Sequence, residues 1–376
     1  MKHLHQFLLI GVFLLLLVLP VMNDVVGVVH FDRLDENRKF RDSLALNIAK
    51  LDAFPKDCEA YIADNFSFRT PLITFFRTLK YDLYSVSPLP DQLIVGLNGR
   101  HFMAGEEKKI YEGEMNFNEQ DLELLEKEWL IRKHYFDSLG IKVYFMPCPT
   151  SLEIYPEDLP QTIRKAYPFN RFDQLERRFS RRLPGVFVNL VPVLKAGKKQ
   201  GAVYFKLDHH WTPMGGYLAT KELLGRMKRE CFPQLDLSYL SQYSWHEENR
   251  NYGHFARLLG RDDLLDYFLT KSGYEDRAEE APDYELSFPA EGVDPAEKQQ
   301  RFLLKKPTNK LKILVIRDSF GYELVPFIKE AFSESLFIFD AWNYELNTGI
   351  IEAYRPDVVV YETYDPNLWK YINSTQ

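Results

Sequence analysis

Leu311-Lys312-Ile313-Leu314-Val315-Ile316-Arg317-Asp318-Ser319-Phe320-Gly321 joins a short apolar, β-branched run to a polar turn. The run has the length and composition of a buried strand, and residues 322–332 behind it read as a helix. A turn between a strand and a helix exposes the Ser319 hydroxyl. It also aims the backbone N–H groups of the helix start at an oxyanion formed there. Pro326 fits only an early helical turn, so the helix is expected to begin after the serine. Alone, an Asp-Ser pair at such a place would be an ordinary helix cap.

A second stretch changes that reading. In Leu207-Asp208-His209-His210-Trp211-Thr212-Pro213, Thr212 is a good N-cap and Pro213 a good first helical residue. Met214, Tyr217, Leu218 and Leu224 then share a helical face, while residues 202–206 read as a short strand that delivers Asp208 at its end. His210 is therefore expected in the turn facing a ligand crevice, with Asp208 reaching the same ring. His209 would point elsewhere, although spacing alone also leaves it open as the base. A serine hydroxyl becomes nucleophilic when an imidazole takes its proton, and a carboxylate fixes the tautomer of that imidazole. The two stretches together spell serine acyl transfer. Asp-His-His is also a metal-ligand string, but no Asp-x-Asp or His-x-x-x-Asp set precedes residue 208, so neither a metal nor another cofactor is expected.

Around these stretches helices and strands alternate. Residues 118–139 carry Leu122, Leu125, Trp129 and Phe136 on one face, with Asn118 as N-cap and Gly140 at the C-terminal stop. Strands are expected at 141–146, 186–190, 202–206, 311–316, 336–339 and 357–361, and a helix at 172–182. Asn98-Gly99, between two short apolar runs, signals a hairpin. The pattern is that of an α/β fold, a mostly parallel sheet with helices on both faces, whose ligands bind beyond the carboxyl ends of the strands. Between residues 232 and 310 the alternation is lost, as expected of an insertion over the site; residues 275–298 within it are acidic.

The chain has 376 residues and a net charge of −7, with no basic stripe and no interleaved stacking aromatics, which argues against a nucleic-acid partner. Residues 7–19 are almost unbroken apolar sequence behind Lys2, His3 and His5. Val21, Met22 and Asn23 offer no small-residue cleavage pattern. This reads as an uncleaved single-pass signal anchor over residues 1–30, a helical lead-in over 31–90, and an extracytoplasmic domain over 91–376. Cys58, Cys148 and Cys231 are too few and too scattered for a zinc site or a disulfide framework; at most one bridge could form.

Taken together, these residues resemble the AlgJ/AlgX-like SGNH-hydrolase superfamily of polysaccharide O-acetyltransferases, and within it the group named after its Asp-His-His-Trp motif. The resemblance rests on 208–213 with Gly215 or Gly216, and on Asp318-Ser319-Phe320. Gly96-x-x-Gly99, Tyr155-Pro156-Glu157-x-Leu159-Pro160, Asp64-x-Phe66-x-x-Arg69 and Pro356-Asp357-Val358-Val359 support it, and it covers most of the chain from about residue 37. It implies a flavodoxin-like SGNH fold in which the Asp and His precede the Ser. It also implies an envelope protein that moves acetyl groups onto polysaccharide hydroxyls, often beside a multi-pass membrane acyltransferase. Residue by residue, Ser319 would be nucleophile, His210 base and Asp208 orienting acid. Arg317 stands where many relatives have Gly, 147–151 replaces a Pro-Asn-Lys-like stretch, and His209 replaces a smaller residue. Arg317, Trp211 and Gly321 are candidate oxyanion or substrate contacts. The leading expectation is thus an O-acyltransferase. The alternatives are a carbohydrate esterase with the same three residues and a non-catalytic glycan-binding or assembly protein in which Trp211, Trp245 and Trp342 stack on sugars.

Overall fold

The computed structural model describes residues 2–33, 39–45, 48–251, 253–282, 299–340 and 343–373. Trp342 and most of the acidic stretch, residues 283–298, lie outside the described residues. The chain forms two compact units, Met1–Pro90 with His254–Leu264, and Asp91–Gly253 with Leu265–Gln376.

The first unit opens with α1 (Lys2–Val26), whose segment Gln6–Asn23 has a mean hydropathy of 2.3 and is long and apolar enough, by length and composition, to cross a membrane. Its Phe7, Leu9 and Phe13 side chains are exposed, as an apolar surround would require. Helices α2 (Phe54–Asn65) and α3 (Arg69–Thr78) follow. Arg77 of α3 is buried and donates to the Leu258 carbonyl at 2.7 Å.

The second unit begins with the hairpin β1 (Leu93–Val95) and β2 (His101–Met103). Its turn places Asn98 at φ 54 and Gly99 at φ 72, the left-handed pair that a type I′ turn demands. Helices α4 (Glu106–Glu112) and α5 (Glu119–Ser138) come next. In α5 the Asn118 side chain accepts from Asp121 N and the Asp121 carboxylate accepts from Asn118 N, a capping box. Then come β3 (Lys142–Cys148), α6 (Ser151–Ile154), α7 (Arg171–Arg182), α8 (Val191–Gly197) and α9 (Pro213–Glu230). β4 (Ser244–Arg250) and β5 (Asp266–Ser272) form an antiparallel pair of their own. The remaining strands are β6 (Ala278–Ala281), β7 (Gln299–Leu304), β8 (Lys312–Arg317), β9 (Glu334–Phe339) and β10 (Val358–Tyr364).

The central sheet has the order β3-β10-β8-β9-β7-β6. It is mixed, which corrects the mostly parallel expectation: β3, β10, β8 and β9 are parallel neighbours, whereas β7 and β6 add on antiparallel. Polarity explains the difference. Parallel strands are covered on both faces and need continuous apolar runs, which β8 and β10 supply. Ala278-Glu279-Glu280-Ala281 and Gln299-Gln300-Arg301 suit an edge that faces water. Along β8, Ile313 and Val315 enter one core and Leu314 and Ile316 the other, so helices cover both faces.

Two further strand expectations fail. Residues 186–190 make one parallel bridge, Phe145 to Phe187, and 202–206 one antiparallel bridge, Tyr204 to Trp211. Pro184 and Pro192 bracket the first run and limit its pairing; the second leaves the sheet to meet side chains described below. Nor does a long helix follow the serine: a 3₁₀ turn spans Ser319–Glu323 and a single short helix Val325–Ile328. The three cysteines are free thiols.

Candidate active site

β8 ends at Arg317, and the next residue fixes the serine turn. Asp318 is fully buried. Its Oδ1 accepts from Phe320 N (2.9 Å) and its Oδ2 from Tyr344 Oη (2.7 Å) and Tyr364 N (2.7 Å). It therefore ties the turn to β10 and to the 343–347 loop. Asp318 N donates to Glu362 Oε2 (3.0 Å), and Cys148 Sγ to Glu362 Oε1 (3.0 Å). Burial, reinforced by the neighbouring Asp318 charge, pushes Glu362 well above the usual carboxylate range. Burial likewise raises Cys148, with Glu362 adding to it. Both groups lie beneath the serine turn and are linked to it through Asp318 N.

The 202–212 segment is held by side chains rather than by a sheet. Arg100, at the end of the Asn98-Gly99 turn, donates to the carbonyls of Tyr204 (3.3 Å) and Phe205 (2.9 Å). Its Nε pairs with Asp158 Oδ2 at 3.0 Å, and its guanidinium lies 3.5 Å from the Tyr155 ring centre. Breaking a buried pair of this kind costs about 3–5 kcal/mol. Leu207 N donates to Asp266 Oδ2 (2.7 Å), and Thr212 Oγ1 both donates to Ala202 O (2.6 Å) and caps α9. Trp211 Nε1 donates to Phe320 O at 2.8 Å, joining the histidine loop to the serine turn.

This scaffold brings three of the expected side chains into one hydrogen-bonded line. Asp208 Oδ1 lies 2.7 Å from His210 Nδ1, and His210 Nε2 lies 2.9 Å from Ser319 Oγ. His210 N also donates to Asp208 Oδ1 (3.0 Å), an Asx turn that orients the ring. Burial opposes ionisation of Asp208. The hydrogen bond from His210, with the charges of His210 and His209, outweighs it and holds the carboxyl well below its usual range. His209 Nδ1 is 3.6 Å from the same Asp208 oxygen, and its ring lies 4.0 Å from that of His210. Asp208, His209 and His210 could together offer three metal ligands within 4.8 Å of one another. Both ring nitrogens of His210, however, are already engaged, one by Asp208 and one by Ser319.

Arg317, Trp211 and Gly321 lie under the turn. Arg317 is wholly buried, donates to Asp318 O and Gln300 Oε1 (both 3.1 Å), and packs on Tyr322 and Phe339. A Cβ at Gly321 would meet the Arg317 side chain at 2.4 Å, so glycine is what lets that arginine pass. Trp211 is buried against Phe320, which closes its ring to a sugar; Trp245 packs on Tyr217 and Phe327. As the first residue of its 3₁₀ turn, Ser319 has an N–H with no intrahelical acceptor.

Three contributors escape a reading of the sequence. Arg250 of β4 places Nη2 3.3 Å from Asp208 Oδ2, with its guanidinium 3.4 Å from the Phe205 ring centre. Glu323 is pushed up to about 7 by burial, against the charges of Arg250 and His210. Glu107 of α4 is buried and pushed up to about 8 by that burial, with a hydrogen bond from Tyr364 opposing and the charges of Asp365 and Asp208 adding. Arg100 and Asp158, which brace the 202–212 segment, had a local signal, since they adjoin the Asn98-Gly99 and Tyr155-Pro156-Glu157 motifs.

Glu107 yields a pH prediction. A carboxyl near 8 in the fold and about 4.3 when unfolded loses stability as pH rises through that window, because only the unfolded chain releases the proton. Glu107→Gln should match the native chain in thermal stability at pH 4, gain on it progressively up to pH 8, and then hold a constant lead. A lead that does not change with pH would contradict this.

Residues 112–334, more than half of the chain, match the family described as SGNH hydrolase-like domain, acetyltransferase AlgX. Over 85 residues the chain is 29% identical to the probable alginate O-acetylase AlgJ of Pseudomonas syringae pv. tomato. That stretch is 22% of this chain and 21% of the relative, so the match spans about a fifth of the relative's length. Among solved structures, Bacillus cereus PatB1 superposes with a TM-score of 0.52 at 15% identity, covering 73% of this chain and 96% of that one. A DHHW family protein from Eubacterium siraeum superposes with a TM-score of 0.49 at 16% identity, covering 75% and 92%. At 15% identity the likeness to PatB1 is one of fold.

Proposed function

Because this chain belongs to the SGNH hydrolase-like family of the acetyltransferase AlgX, we propose that it is a serine O-acyltransferase that places acetyl groups on the hydroxyls of a polysaccharide. The observation that carries this reading is the line Asp208–His210–Ser319 with contacts of 2.7 and 2.9 Å. In the first half-reaction Ser319 Oγ attacks the acyl carbonyl carbon as His210 Nε2 takes the hydroxyl proton. Asp208 steadies the resulting imidazolium through Nδ1–H, and the Ser319 N–H donates to the oxyanion. Collapse breaks the bond to the donor oxygen, which leaves with the proton from His210, and an acyl-serine remains. In the second half a sugar hydroxyl gives its proton to His210 and attacks the acyl-serine, and Ser319 Oγ leaves with that proton. Arg250 is a positioning residue for Asp208.

The apolar α1 supports a single-pass anchor. We further propose that the site lies outside the cytoplasm and that a multi-pass membrane acyltransferase supplies the acyl group. In this layout residues 1–30 anchor, 31–90 lead in, and 91–376 form the catalytic domain, with 232–310 inserted beside the site. Transfer and hydrolysis share the acyl-enzyme and differ only in the second acceptor. The test is to give the full-length protein a small acetyl ester together with a range of bacterial polysaccharides, then compare polymer-bound acetyl with free acetate. Polymer acetylation that disappears in Ser319→Ala is the expected result. Release of free acetate alone, with every acceptor, would make the protein an esterase.

A further inference from the structure

In the first unit, α3 and the π turn behind it (Leu79–Leu83) carry Leu72, Phe75, Phe76, Leu79 and Leu83, all between 40% and 67% exposed. The spacing i, i+3, i+4, i+7 puts the first four on one helix face, and Leu83 extends the stripe by a further turn. At 1.5 Å per residue the stripe runs for roughly 16 Å. Another side of the helix is already occupied. The buried Arg77 donates to Leu258 O at 2.7 Å, while Arg261 pairs with Asp82 at 2.6 Å and lies 5.6 Å from the Tyr81 ring centre. Leu258 and Arg261 belong to the 254–264 segment of the same unit. Turning α3 to hide the stripe would break these contacts. An apolar face of this extent on a folded unit marks a contact with lipid or with another protein.

The end of α1 decides between them. Gln6–Asn23 is apolar throughout and about 27 Å long at 1.5 Å per residue, enough to cross the hydrocarbon of a bilayer. Where that span ends the chain turns sharply: the Asn23 side chain donates to Val29 O (2.9 Å) and accepts from Val29 N (2.8 Å), with Gly27 at φ 67. Two contacts tie the corner between α2 and α3 to this exit. Ser67 Oγ donates to Pro20 O at 3.3 Å, and the Phe31 and Phe68 rings meet edge to face with centres 5.6 Å apart. Pro20 stands three residues before the end of the span, about 4.5 Å along its axis, so α3 starts near the boundary between acyl chains and headgroups. An amphipathic helix lies flat at that depth, apolar side down, with basic side chains reaching up to lipid phosphate. Lys80 is placed to do so, its ammonium 4.7 Å from the Phe76 ring centre. Accordingly, we infer that α3 is an interfacial helix whose stripe from Leu72 to Leu83 lies in the surface of the bilayer that α1 crosses. One spanning helix alone leaves the first unit free to tilt on the membrane, and a second apolar contact beside it removes that freedom. The inference takes from the functional reading only that α1 crosses a membrane. A second copy of the chain could cover the same face, but that leaves unexplained why the stripe starts beside the exit of α1.

The test uses the full-length protein in vesicles of phosphatidylethanolamine and phosphatidylglycerol, at less than one copy per vesicle. A lipid-soluble aryl diazirine is photolysed in the bilayer, with glutathione in the water to scavenge reagent outside it, and the label is mapped by peptide mass spectrometry. Residues 69–84 should carry label within about threefold of that in α1, and residues 119–139 of the second unit roughly tenfold less, although Ile131 and Leu139 there are also exposed. The Phe75→Asp/Leu79→Asp variant should lose about tenfold of the label in 69–84, keep that in α1, and hydrolyse a small acetyl ester at the native rate. The native labelling pattern decides the matter even if this variant misfolds. Label in α1 but not in 69–84 would overturn the interfacial helix and leave the anchor standing, whereas label in neither would overturn both. Label in 69–84 that falls as the number of copies per vesicle rises would assign the stripe to a second copy of the chain and equally overturn the inference.

Discussion

His210→Ala is expected to lower kcat for a small acetyl ester by about 10⁵- to 10⁶-fold, with little change in thermal stability. The imidazole is half-exposed and packs only on its neighbours, so its removal leaves no large void, but it strands the Ser319 hydroxyl without a base. Ser319→Ala should cost about as much. Combining the two should cost no more, because groups that act in one proton transfer fail together. Asp208→Asn is expected to fall less far, by about 10⁴-fold. An amide in place of the carboxylate would favour the wrong tautomer of His210 and leave Arg250, 3.3 Å away, facing a neutral group. His209→Ala provides the contrast: it bonds neither Ser319 nor the Nδ1 side of His210, and a small effect is expected. Full additivity of the His210 and Ser319 losses, measured by steady-state kinetics, would mean that the two side chains do not share a step.

Gly216→Ala should be a strongly damaging single-methyl change near the site. A Cβ there would lie 2.4 Å from the Glu323 carbonyl oxygen and 2.6 Å from its Cβ, against backbone that cannot rotate away. Relief requires a shift of about 1 Å between the first turn of α9, which follows the His210 loop, and the 3₁₀ turn that starts at Ser319. A displacement of that size between base and nucleophile costs about 100-fold in rate, alongside roughly 1–3 kcal/mol of stability. Gly225→Ala, in the same helix, meets nothing nearer than the tip of Arg229 at 3.4 Å. It should leave activity intact and add up to about 1 kcal/mol of stability through helix propensity. Equal activity of the two alanine variants would show that α9 and the serine turn are not packed as described.

The features legible in the sequence were those set by local chemistry. Asn118, Asp121 and Gly140 announce both ends of α5 because caps and left-handed stops act over a few residues. Asn98-Gly99 announces its turn for the same reason. The serine turn and the Asp-His-His-Trp loop were legible as residue types at the ends of elements. What remained hidden depends on partners far away in the chain. Residues 202–206 have strand composition, yet the carbonyls of Tyr204 and Phe205 go to the guanidinium of Arg100, more than a hundred positions upstream. β6 and β7 are too polar to announce a place in the central sheet, and they join it because its edge is open to water. Arg317 reads as a candidate oxyanion or substrate contact beside the serine, but the missing side chain at Gly321 and the rings of Tyr322 and Phe339 give it a buried slot instead. Asp318 reads as part of a catalytic signature, whereas its carboxylate is spent on Phe320 N, Tyr344 Oη and Tyr364 N.

The most direct measurement is the site of covalent acylation. Rapid acid quench of the full-length protein with a small acetyl ester, followed by peptide mass spectrometry, should find a single acetyl group on Ser319, abundant in native protein and absent from Ser319→Ala and His210→Ala. An acetyl group on another residue, or product formed at the native rate with Ser319 never modified, would contradict the account.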